Sequence, residues 1–443
     1  MNNTLTRNEN RLTIEDIKNL YTSGIKASND MKIGIEYERL PIETKTGQAA
    51  SYYSQNGICE FLREFAKEEN WDYITDNLEI IGLKQGHNTI TLEPGSQTEF
   101  SLEPQKNIRD LELNINKLDE QLKPIFQKFG ISFLNYGVSP VTTYKNIKLI
   151  PKKRYHIMAQ YLWGILSDVM MRETAGIQGT FDFTSEDDAI KKFKIANMLS
   201  PFMTALFANS PIRGGVDTGY KSFRALSWLN TDNDRCGFYY NFDNDYGFEK
   251  YINFVLNAPM LFISRNENNI VINGGINFKE FLGNGFDNIQ PDIDDYKLHA
   301  NLCFPEVRLR NFIEVRNHDC GKKEYIYAML AIYKGILYNS DATEKIEELF
   351  KNTSYKDFAE LRYAVPRLAT KSKFKNHTVN DYIKNIIKIA EAGLTENKNG
   401  EEKYLEPIKQ LAADGICPAD IILKNWYGQW NKDISKLLDY ITK

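Results

Sequence analysis

The stretch Ile33-Gly34-Ile35-Glu36-Tyr37-Glu38-Arg39 decides how this chain is read. Successive side chains on a β-strand point to opposite faces, so Glu36 and Glu38 share one face and Ile33, Ile35 and Tyr37 the other. A second string, Thr91-Leu92-Glu93-Pro94-Gly95-Ser96-Gln97-Thr98-Glu99-Phe100, puts Gln97 and Glu99 on a common face if it too is a strand. Carboxylates side by side on a sheet repel unless something positive lies between them, and hard oxygen ligands suit Mg²⁺ or Ca²⁺. One such string alone reads equally as a solvated, charged strand face. Two make a metal-bearing sheet a serious alternative.

Outward from these strings, helical periodicity covers 12–30, 57–70 and 107–129, with strands at 31–41 (ending at Pro41), 79–103 (turning near Gly86-His87-Asn88) and 131–138. Ile177 to Phe183 alternates cleanly, with Gln178, Thr180 and Asp182 opposite an apolar face. The run 304–317 reads as one amphipathic strand, Val307, Leu309, Ile313 and Val315 against Glu306, Arg308, Arg310, Glu314 and Arg316. Asn- and Gly-rich 265–290 reads as a surface insertion, and from 325 onward the pattern is helical. The fold class is α+β, with a largely antiparallel sheet in a body spanning 1–325 and a helical C-terminal region, 326–443, packed on it.

The 443 residues carry 59 acidic and 55 basic side chains, so no bulk field argues for nucleic acid or membrane. Five scattered cysteines, never in C-x-x-C spacing, fit reduced thiols better than a disulfide framework or zinc site. Met1 to Glu9 lacks an apolar core of the secretory kind, and a cytoplasmic protein, monomer or homodimer, is expected.

No phosphate loop of the G-x-x-x-x-G-K-[ST] kind, G-x-G-x-x-G after a strand, H-E-x-x-H or G-x-S-x-G is present. What remains is an acidic set (Glu36, Glu38, Glu93, Glu99, Glu314) and a basic set (Arg172, Arg224, Arg235, Arg308, Arg310, Arg316). Carboxylates holding Mg²⁺ and arginines gripping phosphate oxygens can bind a nucleotide without a phosphate loop. Residue chemistry alone therefore reaches a metal–phosphate enzyme of undefined substrate.

More specific strings lie in the middle and at the end of the chain. Ala205-Leu206-Phe207-Ala208-Asn209-Ser210-Pro211, Gly219-Tyr220-Lys221-Ser222-Phe223-Arg224 and Trp228-Leu229-Asn230-Thr231-Asp232-Asn233-Asp234-Arg235-Cys236-Gly237 resemble glutamate–cysteine ligases of the plant and proteobacterial type. So do Met170-Met171, Gln178, Asp182, Phe304-Pro305-Glu306-Val307-Arg308-Leu309-Arg310, Glu314-Val315-Arg316, Tyr404-Leu405-Glu406-Pro407 and Gly415-Ile416-Cys417-Pro418-Ala419-Asp420. The resemblance runs from about Lys32 to about Trp430.

It implies a curved, largely antiparallel sheet funnel of the glutamine-synthetase type, with flanking helices and with metals and ATP on its floor. It implies ATP-dependent joining of the γ-carboxylate of L-glutamate to the amine of L-cysteine through a γ-glutamyl phosphate. Carried over residue by residue, Glu36, Glu38, Glu93, Glu99 and Glu314 resemble Mg²⁺ ligands, and Arg308, Arg310 and Arg316 face ATP. Arg172, Gln178, Tyr220, Arg224 and Arg235 fall to the substrates, with Glu38, Arg224 and Arg310 at the chemistry. The chain departs from the plant pattern at Glu173-Thr174-Ala175-Gly176, where an Arg-Thr-Cys-Thr string is familiar, and at Thr180, where Asn is. Two rival readings follow: a γ-glutamyl ligase using another amine, and a guanidino-type kinase on a related sheet.

Overall fold

A computed structural model of the chain describes residues 11–238, 247–265, 268–272 and 275–442. The segment Met1–Glu9 lies outside them, as does part of the 265–290 stretch. The fold is organised by a nine-stranded sheet. Its strands in chain order are β1 (Ile33–Glu43), β2 (Asp72–Asp76), β3 (Glu79–Gln85), β4 (Asn88–Leu92), β5 (Thr98–Gln105), β6 (Ile131–Leu134), β7 (Gly176–Phe181), β8 (Val307–Leu309) and β9 (Ile313–Asp319). Across the sheet the order is β8-β9-β7-β1-β5-β4-β3-β2, every neighbour antiparallel, with β6 pairing to the far end of β1. The α+β expectation holds.

The parity read from the sequence is the parity of the sheet. Ile33, Ile35 and Tyr37 are buried, as are Ile177 and Phe181 of β7 and Val307, Leu309, Ile313 and Val315 of β8 and β9. They face a core closed by the helices Ile108–Phe129, Glu186–Leu206 and Lys323–Leu337. A one-residue slip would move every one of these side chains to the wrong face, so their burial pins the register.

Three elements differ from expectation. Strand β1 runs on through Pro41 to Glu43, because Pro41 and Ile42 pair with β6, leaving the proline on the short terminal part of the sheet. The Thr91–Phe100 string is no single strand: Glu93 to Gln97 form a tight turn between β4 and β5, with Ser96 in the left-handed region at φ 73°. The 304–317 run is likewise a hairpin, β8 turning at 310–312 into β9, so that Arg308 lies directly opposite Glu314.

Within the expected surface insertion, 265–290, the strand Asn268–Val271 pairs with the strand Phe262–Arg265 that leads into it, and Phe278–Asn284 is a helix whose Phe278 and Phe281 are fully buried. It contributes to the core rather than decorating the surface.

Behind the sheet the helix Lys323–Leu337 crosses the helix Val379–Glu396 at two glycines. An added Cβ on Gly393 would come within 2.0 Å of the Gly335 carbonyl oxygen, and one on Gly335 within 2.3 Å of that of Ala390. The same helix puts Met329 against Gly179 of β7, where a Cβ would meet its sulfur at 3.0 Å. Among the described residues no helix is long and apolar enough to cross a membrane.

Candidate active site

The polar face of the sheet floors a cavity of about 250 Å³. Glu36 and Glu38 of β1 project into it, with Glu99 of β5 directly across from Glu38 and Gln178 of β7 directly across from Glu36. Strand pairing alone brings these four together. Glu93, from the turn, and Glu314, from β9, complete the acidic set on the same cavity.

A hydrogen-bond lattice fixes the floor. The Glu38 carboxylate accepts from the Gly176 backbone N–H at 2.6 Å and from the Gln178 amide at 3.0 Å. Thr91 Oγ1 donates to Glu99 at 3.0 Å. Gln178 is oriented from its other end, since its carbonyl oxygen accepts from Arg316 at 2.6 Å.

The carboxylates open onto the cavity yet lie deep below the protein surface, and their electrostatics divide them into two kinds. Burial pushes Glu38 up to about 7; Glu93 adds to the rise, while Arg224 and the Gly176 N–H oppose it. Burial, then Glu36, Glu93 and Glu38, push Glu99 well above the usual carboxylate range. Glu36 is raised by burial and by Glu314. Glu314 behaves oppositely: burial works against its charge, but Arg308, Arg316 and Arg310 hold it down at about 2. Arg308 reaches it at 3.0 Å and Arg310 at 3.4 Å, and Arg316 forms a still closer pair.

Thus Glu36, Glu38 and Glu99 form an acidic group short of positive charge, whereas Glu314 is already neutralised. Among the described residues no group of three His, Cys, Asp or Glu side chains is placed to hold a metal ion by itself. That donor set suits Mg²⁺, which commonly takes one or two protein carboxylates and completes its octahedron with water and substrate phosphate oxygens. Glu36, Glu38, Glu93 and Glu99 fit this use. Glu314, expected among the metal ligands, is paired here with Arg308, Arg310 and Arg316.

The opposite wall carries residues that the sequence reading missed. Arg154, on the helix Lys153–Tyr161, lines the cavity, its guanidinium 5.0 Å from the centre of the Tyr155 ring. The Tyr155 hydroxyl donates to Glu93 at 3.2 Å. Pro151-Lys152-Lys153-Arg154 is a visible basic run, but its helix reaches the site through tertiary packing, and no spacing rule connects it to β1. Met170 and Met171 are buried and also line the cavity. Gln97, in the turn rather than on a strand, donates its amide to the carbonyls of Met171 and Thr174, each at 3.0 Å.

Next to the main cavity is a smaller one, about 40 Å³, sharing Trp228, Phe304 and Arg316 with it. Arg224 lies on its wall, almost fully buried, donating to the Arg316 carbonyl at 3.0 Å. Arg224 Nε and Trp228 Nε1 are buried donors with no partner among the described residues. Buried donors are ordinarily satisfied, so an acceptor from a ligand is the natural complement. Gly176 makes the arrangement possible: a Cβ there would fall 2.3 Å from the Arg224 guanidinium.

Three expected substrate residues are placed elsewhere. Arg172 turns away, pairing with Asp168 at 2.9 Å and reaching the carbonyls of Tyr144 and Ile147. Its neighbour Glu173, fully buried, binds Arg213 at 2.6 and 2.7 Å and the Tyr144 N–H at 2.6 Å, which fixes the backbone in that orientation. Tyr220 packs its ring on Phe223 at 6.3 Å and lines neither cavity. Arg235 is sealed in the interior, bonded to Asp232 at 3.1 Å and to the Pro259 carbonyl, and braces loops. None of the three lines either cavity.

The sequence model of glutamate–cysteine ligase family 2 matches residues 32–439. A chloroplastic glutamate–cysteine ligase from Nicotiana tabacum is 32% identical over 434 residues, covering 97% of this chain and 82% of its own. The chloroplastic enzyme of Arabidopsis thaliana matches at the same identity and coverage, and a rice enzyme, glutamate–cysteine ligase B, is 32% identical over 96% of this chain and 86% of its own. Among solved structures, a glutamate–cysteine ligase from Francisella tularensis in complex with AMP superposes with a TM-score of 0.57 at 14% identity, covering 93% of this chain and 88% of that one. At that identity the likeness speaks for the fold. The expectation of a cytoplasmic protein is contradicted by these plant relatives, which are chloroplastic enzymes. The chain belongs to glutamate–cysteine ligase family 2.

Proposed function

We propose that this chain joins the γ-carboxylate of L-glutamate to the amine of L-cysteine at the expense of ATP, giving γ-glutamylcysteine, ADP and phosphate. A γ-carboxylate oxygen attacks the γ-phosphorus and the bond to ADP breaks. The cysteine nitrogen then attacks the acyl carbon of γ-glutamyl phosphate, the C–O bond to phosphate breaks, and the amine gives up a proton. The observation that carries this reading is the pairing of an uncompensated acidic floor (Glu36, Glu38, Glu99) with an arginine cluster on one cavity.

Glu36, Glu38, Glu93 and Glu99 would hold Mg²⁺, which would supply neutralisation of the phosphate charge. Arg308, Arg310 and Arg316, themselves positioned by Glu314, meet developing charge on the transferred phosphoryl group. Arg224 and Trp228 present their free donors to a substrate carboxylate. Gln178, held by Arg316, keeps Glu38 and Glu99 in register, and Arg154 covers the cavity from the other side and excludes water from the acyl phosphate. On this reading residues 1–325 carry the chemistry and 326–443 buttress the sheet.

The test is glutamate-dependent ADP release against a panel of single amines, with products read by mass spectrometry. Cysteine is expected to be the best acceptor. Another amine consumed without any cysteine adduct would displace cysteine in favour of the second reading, a ligase with a different acceptor. That alternative draws support from Glu173–Gly176, which departs from the plant pattern and abuts Arg224 through Gly176.

A further inference from the structure

Three buried polar groups on the small cavity lack a partner among the described residues, and they are of opposite kinds. Arg224 Nε and Trp228 Nε1 are donors, whereas Asn317 Oδ1, on a residue only 7% exposed, is an acceptor. We propose that the three hold the head group of an α-amino acid, the donors taking its carboxylate and Asn317 its ammonium group, so that Asn317 selects an amino acid over a plain dicarboxylic acid. The inference rests on the glutamate-dependent reading above and adds which residue reads the amino group.

Asn317 reaches the cavity because β9 is irregular. Val315 pairs with Gly179 and His318 with Ile177, so Arg316 and Asn317 together oppose the single residue Gln178. Strict alternation after Glu314 and Arg316 would send Asn317 to the apolar face of the sheet; a bulge re-aims its side chain. The same bulge seats the arginine. Arg224 donates to the Arg316 carbonyl at 3.0 Å, and Thr204 Oγ1 lies 3.5 Å from the Asn317 carbonyl oxygen. One distortion of one strand thus brings a guanidinium and an amide of complementary polarity onto the same cavity.

The orientation of that amide is fixed. Its Nδ2 donates to the Ser200 carbonyl at 2.6 Å and to Thr204 Oγ1 at 2.9 Å, both on the helix Glu186–Leu206. A carbonyl can only accept, so the nitrogen must face Ser200, and Oδ1 is the atom left over. Buried acceptors are ordinarily satisfied, and an ammonium group supplies the donor that is missing. Glu306, the carboxylate on the same wall, is already held by Arg362 and Ser200.

The placement also determines which carboxylate reacts. Trp228, Phe304 and Arg316 line both the small cavity and the main one. A glutamate anchored by its head in the small cavity extends its side chain past these residues and delivers the γ-carboxylate to the acidic floor. Its α-carboxylate stays with Arg224, away from the phosphate.

Glutarate, which has both carboxylates and no ammonium group, tests the assignment. In the wild type it leaves Asn317 Oδ1 unpaired and is expected to compete with glutamate about thirtyfold more weakly than glutamate itself binds. Asn317→Leu, similar in size but without an acceptor, is expected to weaken glutamate about thirtyfold while the Ki of glutarate and KM for ATP stay within about threefold of wild type. Asn317→Asp keeps an oxygen towards the cavity and is expected to keep the preference for glutamate. Equal losses for glutamate and glutarate in a folded Asn317→Leu variant, or a preference for glutamate that survives in it, overturn the assignment. Should glutamate drive no ADP release in the wild type, the ligase reading falls, and thermal melts with α-amino acids and their des-amino analogues decide the head-group site. Stabilisation by an amino acid alone that is lost in Asn317→Leu upholds it; stabilisation by both kinds equally, or by neither, overturns it.

Discussion

Glu38 and Glu99 face each other across adjacent antiparallel strands, and the Gln178 amide nitrogen lies 3.0 Å from the first and 3.5 Å from the second. Two buried carboxylates thus share one neutral donor, an arrangement that favours protonation or a cation.

Glu38→Gln follows from that pair. Glu38 rises from its ordinary 4.5 to about 7 on folding, so its cost to the fold is absent below pH 4.5, grows between 4.5 and 7 and is complete above 7. In EDTA at pH 8 the variant is expected to be more stable by about 3 kcal/mol, read by denaturant or thermal unfolding, while ADP release falls at least a hundredfold. A variant neither stabilised nor inactivated removes Glu38 from the metal-binding floor.

Gly176→Ala addresses the other end of the same residue pair. Its new methyl group collides with the Arg224 guanidinium, which can swing away at small cost to the fold. The expected result is a tenfold or greater rise in KM for glutamate with KM for ATP near wild type, measured by steady-state kinetics. Equal rises in both constants would mean that the whole floor had shifted.

Glu173→Ala tests the backbone support behind Gly176. It leaves the Tyr144 N–H and the Arg213 guanidinium without their shared carboxylate. Removing one partner of a buried ion pair costs about 3 kcal/mol; because Arg213 keeps some solvent contact, a loss of about 2 kcal/mol is expected. Urea unfolding checks it.

His318→Phe concerns acid sensitivity. His318 is fully buried, edge-on to Phe207 and Tyr333, and burial drops it from 6.5 to about 3. A neutral imidazole stabilises the fold above pH 6.5, and that contribution is lost as pH falls from 6.5 towards 3. By pH 5 the loss is about 2 kcal/mol. The phenylalanine variant is expected to lose less stability than the wild type between pH 7.5 and pH 5, as followed by thermal melts at both values.

What could be read from the chain was whatever period two could carry. Alternation in Ile33–Arg39 and Ile177–Phe183 placed Glu36, Glu38 and Gln178 on one face, since strand parity is a local property. The turn Glu93–Gln97 also had a local signal, Pro94-Gly95, which outweighs alternation when both occur. The break at 310–312 was masked because a tight hairpin restores the parity of its flanking strands, so Arg308 and Glu314 stay on one face either way. Arg154 was beyond reach, since only tertiary packing sets its helix over the floor. Arg172, Tyr220 and Arg235 show the converse: a motif match fixes a position along the chain, while the rotamer is chosen by Asp168, Phe223 and Asp232 nearby.

Gly335 and Gly393 act at a distance from all of this. Their crossing lets one helix lie almost backbone to backbone on another, and the first of these carries Met329 directly beneath Gly179, next to Gln178. The spacing of three stacked layers is therefore gauged by hydrogens where methyl groups would otherwise stand. A single methyl added at the rear would jack the middle layer forward, so the depth available to a substrate at the front is set by residues that never meet it.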